Sequence, residues 1–144
     1  MLAKVLLVEH DADVGNELEI GLRENGCDVT LLSDGEMGLA RAASDRFDVI
    51  LVSGELPGMS GFRLCNRIKE DPSTRDVTTF VMSTSVADLE AHRRLPTHAN
   101  AYFRRPVSIV ARETATKASV CRAARRSAHR PSARTGPGLN AAWP

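Results

Sequence analysis

Val49-Ile50-Leu51-Val52-Ser53-Gly54-Glu55-Leu56-Pro57-Gly58-Met59-Ser60-Gly61 is an apolar run that stops at a small hydroxyl residue and enters a Pro/Gly loop. Four consecutive apolar residues, β-branched side chains among them, read as a strand buried on both faces, the kind found inside a parallel sheet. In such sheets chemistry sits just beyond the carboxyl ends of the strands. Ser53 therefore stands where a functional side chain is expected.

Working outward, Lys4-Val5-Leu6-Leu7-Val8 is a second short apolar run, closed by Glu9-His10-Asp11. Asp11 or Asp13 is placed to cap a helix whose stripe is Val14, Leu18, Gly21 and Leu22, at i, i+4, i+7 and i+8. Asn25-Gly26 ends that helix, with Gly26 suited to the left-handed C′ position. Val29 to Leu32 is the next strand, and an Ala-rich helix runs from about Glu36 to Ser44. Beyond the Pro57 loop, Phe62, Leu64, Cys65 and Ile68 space as a helix that stops before Pro72. Val77 to Met82 is a strand ending in Ser83-Thr84-Ser85, Asp88 to Leu95 a short polar helix, and Ala99 to Phe103 a last strand.

Five strands thus alternate with helical segments through short loops. Parallel neighbours need crossover connections, and those are right-handed, so helices must cover both faces of one sheet. The predicted fold is α/β: a flavodoxin-like, doubly wound, five-stranded parallel sheet of strand order 2-1-3-4-5. Its site lies at the carboxyl ends of the first, third and fourth strands.

The chain has 144 residues and a net charge of +1. That balance hides an asymmetry: residues 1–104 carry 11 Lys/Arg against 17 Asp/Glu, and residues 105–144 carry 8 against 1. A domain over 1–110 and a basic Ala/Arg/Ser/Pro-rich tail over 111–144 are the expected division. From Ala111 onward the only sizeable apolar residues are Val120, Leu139 and Trp143, so the tail is expected to be partly helical at most and disordered from about Ser127. No apolar run reaches the span of a transmembrane helix, and no basic-then-apolar leader opens the chain. Cys27, Cys65 and Cys121 are widely spaced without a CxxC, which reads as reduced thiols of a cytoplasmic protein.

Over nearly all of Ala3 to Ser108 the chain resembles the receiver domain of two-component response regulators. The resemblance rests on the first strand ending in an acidic cluster, on Leu56-Pro57-Gly58-Met59-Ser60-Gly61, on the Ser83 strand end, and on Ala99 to Pro106. It implies a phosphoryl switch, in which an aspartate ending the third strand takes phosphate from a histidine kinase. Two acidic residues after the first strand would hold Mg²⁺, and a Ser/Thr and a Lys would gather the phosphoryl oxygens. Carried over by position, the acceptor is Ser53, the acidic pair is Glu9 and His10 with Asp11 beside them, the Ser/Thr is Ser83, and the lysine is Arg105. The following proline, which a cis peptide precedes in the family, is Pro106, and the last-strand aromatic is Tyr102. The stretch from Asp88 to Val107 is similar to the atypical receivers of the myxobacterial Frizzy social-motility system, although the long coiled coil found there has no counterpart in this sequence.

The departures fall where the chemistry is. A carboxylate is already an anionic nucleophile at pH 7, whereas a serine hydroxyl needs a base beside it. His10 is the one candidate base for Ser53, with nothing else of a triad. Mg²⁺ wants hard oxygen ligands, and a hydroxyl and an imidazole in place of two carboxylates leave Glu9 and Asp11. Mg²⁺ binding is therefore expected to be weak or absent. A transition-metal site from Glu9, His10 and Asp11 is disfavoured because consecutive residues at a strand end point to opposite faces. Glu55, two residues into the loop, is the only nearby carboxylate for a displaced acceptor.

The expected function is that of a phosphorylation-incompetent receiver, not an enzyme, working by protein–protein contact. The resemblance places that contact on the fourth helix, fifth strand and fifth helix, with His92, Arg93, Arg94, His98, Tyr102 and Arg104. His92 either hydrogen-bonds Tyr102 and fixes its rotamer, or is a solvated histidine beside a packing aromatic. A phosphorelay receiver with a displaced acceptor is one alternative. The other is nucleic-acid binding through the tail, which no helix-turn-helix, zinc spacing or stacking aromatics support.

Overall fold

The computed structural model describes residues 2–104 and 119–127. In chain order the elements are β1 (Ala3–Val8), α1 (Ala12–Glu24), β2 (Cys27–Leu32), α2 (Gly35–Ser44), β3 (Val49–Ser53), α3 (Gly61–Glu70), β4 (Thr78–Ser83), α4 (Val86–Arg93) and β5 (Ala101–Arg104). Residues 119–127 form a further helix, α5. All strand pairs are parallel and the order is β2-β1-β3-β4-β5, the predicted topology.

Period-two alternation along the strands sorts the core into two layers. Val5, Leu7, Val49 and Leu51 face one side, where they pack with Leu18 and Leu22 of α1 and with Val120, Cys121, Ala123 and Ala124 of α5. Leu6, Val8, Ile50 and Val52 face the other, against Ala42, Leu64, Ile68 and Leu89 of α2, α3 and α4. β3 is buried along its whole length, as its uninterrupted apolar run requires. Each such side chain contributes about 1.5–3 kcal/mol relative to exposure.

Short polar residues start the helices. Asp11 accepts from Asp13 N–H and Val14 N–H, Asp34 from Met37 N–H, Ser60 from Arg63 N–H and Ser85 from Asp88 N–H. Each cap is worth ~1 kcal/mol. Gly26 takes the predicted positive φ, 85°, after α1.

Several boundaries move from their expected positions, β2 for one beginning at Cys27 instead of Val29. β4 begins at Thr78, because the Val77 N–H is held by Thr74 O in the preceding turn. α4 begins at Val86 because Ser85 caps it. β5 begins at Ala101, because the Ala99 N–H is taken by the Tyr102 hydroxyl instead of the ladder. Part of the expected tail, residues 119–127, is helical. Val120 and Ala124 have no exposed surface and belong to the core, since small side chains let α5 lie close to the sheet where larger ones would have been sought. All three cysteines are free thiols and buried. Pro106 and the residues after Ser127, where disorder was expected, lie outside the described residues.

Candidate functional site

Ser53 ends β3, beside Met82 of β4, and has no exposed surface. The loop that follows is folded tightly back onto the strand end. Gly61 N–H donates to Gly54 O at 3.0 Å, and a Cβ on Gly61 would lie 1.8 Å from Ser53 O, so only glycine fits there. This explains in physical terms why the Pro57–Gly61 loop needs a glycine as its last residue.

Within this closed loop, Glu55 becomes the hub. Ser53 Oγ donates to the Glu55 backbone carbonyl at 3.4 Å. Ser83 Oγ, at the end of β4, donates to Glu55 Oε2 at 2.5 Å, and Thr84 N–H donates to Glu55 Oε1 at 3.2 Å. Ser83 Oγ in turn accepts from Ser85 N–H at 3.0 Å. Ser53 and Ser83, both expected in one pocket, are thus brought to one residue, Ser53 on the backbone carbonyl of Glu55 and Ser83 on its carboxylate.

At the end of β1, Glu9 is 4% exposed, its N–H donates to Leu32 O, and its Oε2 accepts from Asp11 N–H at 3.0 Å. Asp11 Oδ1 accepts from two α1 amides at 3.0 and 3.2 Å, so that carboxylate is oriented toward the helix N-terminus. His10 is exposed, while Ser53 is fully buried. The cleft lined by Glu9, His10, Asn16, Ser33 and Met37 opens on the β2 side of β1, away from β3. These donors do not fit a Mg²⁺ centre, which demands several convergent hard oxygens. One carboxylate is tied to a backbone amide, one caps a helix, and the β3 position offers a hydroxyl. Among the described residues no three His, Cys, Asp or Glu side chains gather as a metal site. Arg105 lies outside the described residues.

The far side of the sheet carries a second polar group. His92 on α4 is only 3% exposed and hydrogen-bonds Tyr102, which selects the paired reading of the two over the solvated one. Burial follows from its spacing, since Leu89 and His92 are the two residues that α4 turns inward. Its Nε2 lies 2.7 Å from Asn66 Oδ1, an oxygen that also accepts from Thr97 Oγ1 at 2.6 Å. An amide oxygen only accepts, so with this amide orientation Nε2 carries the proton and Nδ1 presents a lone pair. Tyr102 OH donates to that Nδ1 at 2.6 Å and its oxygen accepts from Ala99 N–H at 2.8 Å. Desolvation lowers the His92 pKa and raises that of Tyr102, which keeps both neutral. Arg93 lies over the Tyr102 ring at 5.4 Å, a cation–π contact at the surface, where Arg94, His98 and Arg104 are exposed. Asn66 and Thr97 carry no sequence signal for this role, since a lone amide on a helix reads as solvated.

The chain matches the response regulator receiver domain family over residues 5–115, and it belongs to that family. It is 30% identical over 110 residues to the response regulator PleD of Caulobacter vibrioides, covering 76% of this chain and 24% of that protein. The chain therefore spans about a quarter of that relative's length. The receiver domain of a signal transduction histidine kinase from Syntrophus aciditrophicus superposes with a TM-score of 0.76 at 20% identity, covering 94% of this chain and 98% of that one. The receiver domain of the sensor histidine kinase PA1611 of Pseudomonas aeruginosa, with magnesium in its active-site cleft, superposes with a TM-score of 0.70 at 25% identity, covering 88% and 97%. The fold is that of a receiver domain of two-component response regulators. Among the described residues no helix is long and apolar enough to cross a membrane.

Proposed function

We propose that this receiver domain signals without phosphoryl transfer, as a pseudo-receiver that acts through protein–protein contact and is not an enzyme. The observation that carries the reading is the buried Ser53 hydroxyl at the end of β3, donating to the Glu55 carbonyl at 3.4 Å. A hydroxyl is not anionic at pH 7 and needs a base to act as a nucleophile, and His10, the base the sequence offers, is exposed while Ser53 is fully buried. The Mg²⁺ misfit at Glu9 and Asp11 supports the same reading. The partner surface in this reading is α4, β5 and the loop between them, where Arg93 lies over the Tyr102 ring and Arg94, His98 and Arg104 are exposed.

A displaced acceptor at Glu55 is disfavoured, because both of its carboxylate oxygens already accept hydrogen bonds from Ser83 and Thr84. The test is incubation with acetyl phosphate and Mg²⁺, followed by intact-mass measurement. No added phosphoryl mass is expected. A Mg²⁺-dependent, hydroxylamine-labile adduct would overturn the proposal.

A further inference from the structure

Ser83 has no exposed surface, so its hydroxyl proton needs an acceptor inside the protein. That acceptor is Glu55 Oε2 at 2.5 Å, at the short end of the range for a hydroxyl donating to a carboxylate. The second oxygen, Oε1, takes the Thr84 N–H. Two donors of different chemistry, at the end of one strand, thus converge on one carboxylate supplied by the neighbouring loop. Glu55 itself is an exposed residue whose head group reaches in to the buried Ser83 hydroxyl and takes the N–H of the exposed Thr84. Its loop is anchored at both ends, by Gly54 N–H on Met82 O at 2.7 Å and by Gly61 N–H on Gly54 O at 3.0 Å.

The Ser83 hydroxyl does more than donate. It accepts from Ser85 N–H, and Ser85 is the N-cap of α4, accepting from Asp88 N–H at 3.2 Å. α4 is a short helix of eight residues, and it carries His92, which takes the Tyr102 hydroxyl. A continuous set of hydrogen bonds therefore runs from the Glu55 carboxylate through Ser83 and Ser85 to the start of α4. The helix then runs on to the group that holds Tyr102.

We propose that Glu55 is a resident, intramolecular anionic ligand of the Ser83 hydroxyl and Thr84 N–H, and that it holds α4 and Tyr102 in a single arrangement. The inference rests on the phosphorylation-independent reading and deepens it, because the chain itself supplies the anion that fixes the partner face. An external oxyanion reaches these donors only by displacing Glu55. Removal of the carboxylate leaves the buried Ser83 hydroxyl without this acceptor, frees the Ser85 N–H contact to rearrange, and loosens the first turn of α4.

Tyr102 is the only tyrosine in the chain, so 3-fluorotyrosine labelling gives one ¹⁹F signal from the partner face. In the full chain, Glu55→Ala is expected to shift or broaden that signal and to speed amide exchange at Thr84 and Ser85 at least tenfold. Glu55→Gln, which keeps a neutral acceptor, is expected to fall between the two. Amides of Leu6 and Leu7 in β1 are the control for global unfolding; if they lose protection in Glu55→Ala, Glu55→Gln becomes the deciding variant. Unchanged exchange at Thr84 and Ser85 would overturn the ligand role. Changed exchange with an unchanged ¹⁹F signal would overturn the link to Tyr102. Phosphoryl incorporation into the wild type would instead overturn the preceding proposal, an outcome read by mass and separable from these spectra.

Discussion

The Tyr102 hydroxyl is held by His92 Nδ1 at 2.6 Å, across ten residues of chain and beneath the guanidinium of Arg93. Both partners are otherwise satisfied: Nε2 by Asn66 Oδ1, and the phenol oxygen by Ala99 N–H. A buried polar group with every bond made gives one preferred rotamer, whereas a half-satisfied one gives several. The ring is therefore fixed from inside the protein, while the guanidinium of Arg93 lies over its outer face.

Removing either end should cost stability by different amounts. Tyr102→Phe deletes one donor and leaves the His92 lone pair and the Ala99 N–H without it. His92→Phe removes the ring that bridges Tyr102 and Asn66. Each is expected to lower the unfolding free energy by about 1–3 kcal/mol, measured by urea denaturation. A double-mutant cycle should return a coupling of about 0.5–3 kcal/mol. A coupling near zero would show that the two groups are merely close.

The same histidine predicts a pH dependence. Burial lowers its folded pKa below the ordinary 6.5, so on acidification the unfolded chain takes up the proton first. Stability rises with pH wherever the unfolded state binds more protons. The contribution is therefore complete above about pH 6.5 and lost progressively as pH falls toward the folded value, by up to 1.36 kcal/mol per pH unit. Protonation would also place a proton on Nδ1, which then cannot accept from Tyr102. Urea midpoints between pH 5 and 8 should fall on the acid side for the wild type, and the His92→Phe variant should lack that component.

Thiol chemistry reports the core directly. Cys65 has no exposed surface, and burial pushes its pKa up to about 12. Cys27 is pushed up to about 11 by burial, with Cys121 of α5 beside it. A thiol at such a pKa has almost no thiolate at pH 8, and the thiolate is what reacts. The native protein should therefore react with Ellman's reagent only at the rate of local or global opening, and denaturant should release three equivalents. Fast reaction of one thiol in the native state would show that α5 detaches from the sheet.

The strands and the topology were legible because their signal is redundant. Val49 to Val52 and Val5 to Val8 are unbroken apolar runs, and a parallel sheet leaves few alternatives for them. The Pro57–Gly61 loop was legible because close backbone approach demands glycine. Three things were not. α5 hides its core contribution in Ala123, Ala124 and Cys121, which score poorly as apolar although they fit a close approach. The His92–Tyr102 hydrogen bond was one of two readings open in the sequence, but the Asn66 and Thr97 contacts behind it, which make His92 internal, carried no signal. Glu55 was recognisable as a nearby carboxylate, but its function as a partner for Ser83 and Thr84 depends on how the loop folds back, which no local pattern encodes.

Restoring an acceptor at β3 provides the sharpest remaining prediction. Ser53→Asp places a carboxylate in a site with no solvent exposure, beside the Glu55 carbonyl, with the Glu55 carboxylate held on Ser83 at the end of the neighbouring strand. Like charges held close raise one another's pKa, and relief by a cation requires the oxygen-rich set that His10 and the capping role of Asp11 withhold. The variant is therefore expected to be less stable than wild type by about 1–3 kcal/mol. It should take up little or no phosphoryl group from acetyl phosphate at millimolar Mg²⁺. Adding His10→Asp and Glu55→Ala to Ser53→Asp supplies a second free carboxylate and clears the Ser83 and Thr84 donors, so phosphoryl uptake should rise in the triple variant. Efficient labelling of the single variant would show that Glu9 and Asp11 suffice for the metal and that Glu55 does not obstruct the site.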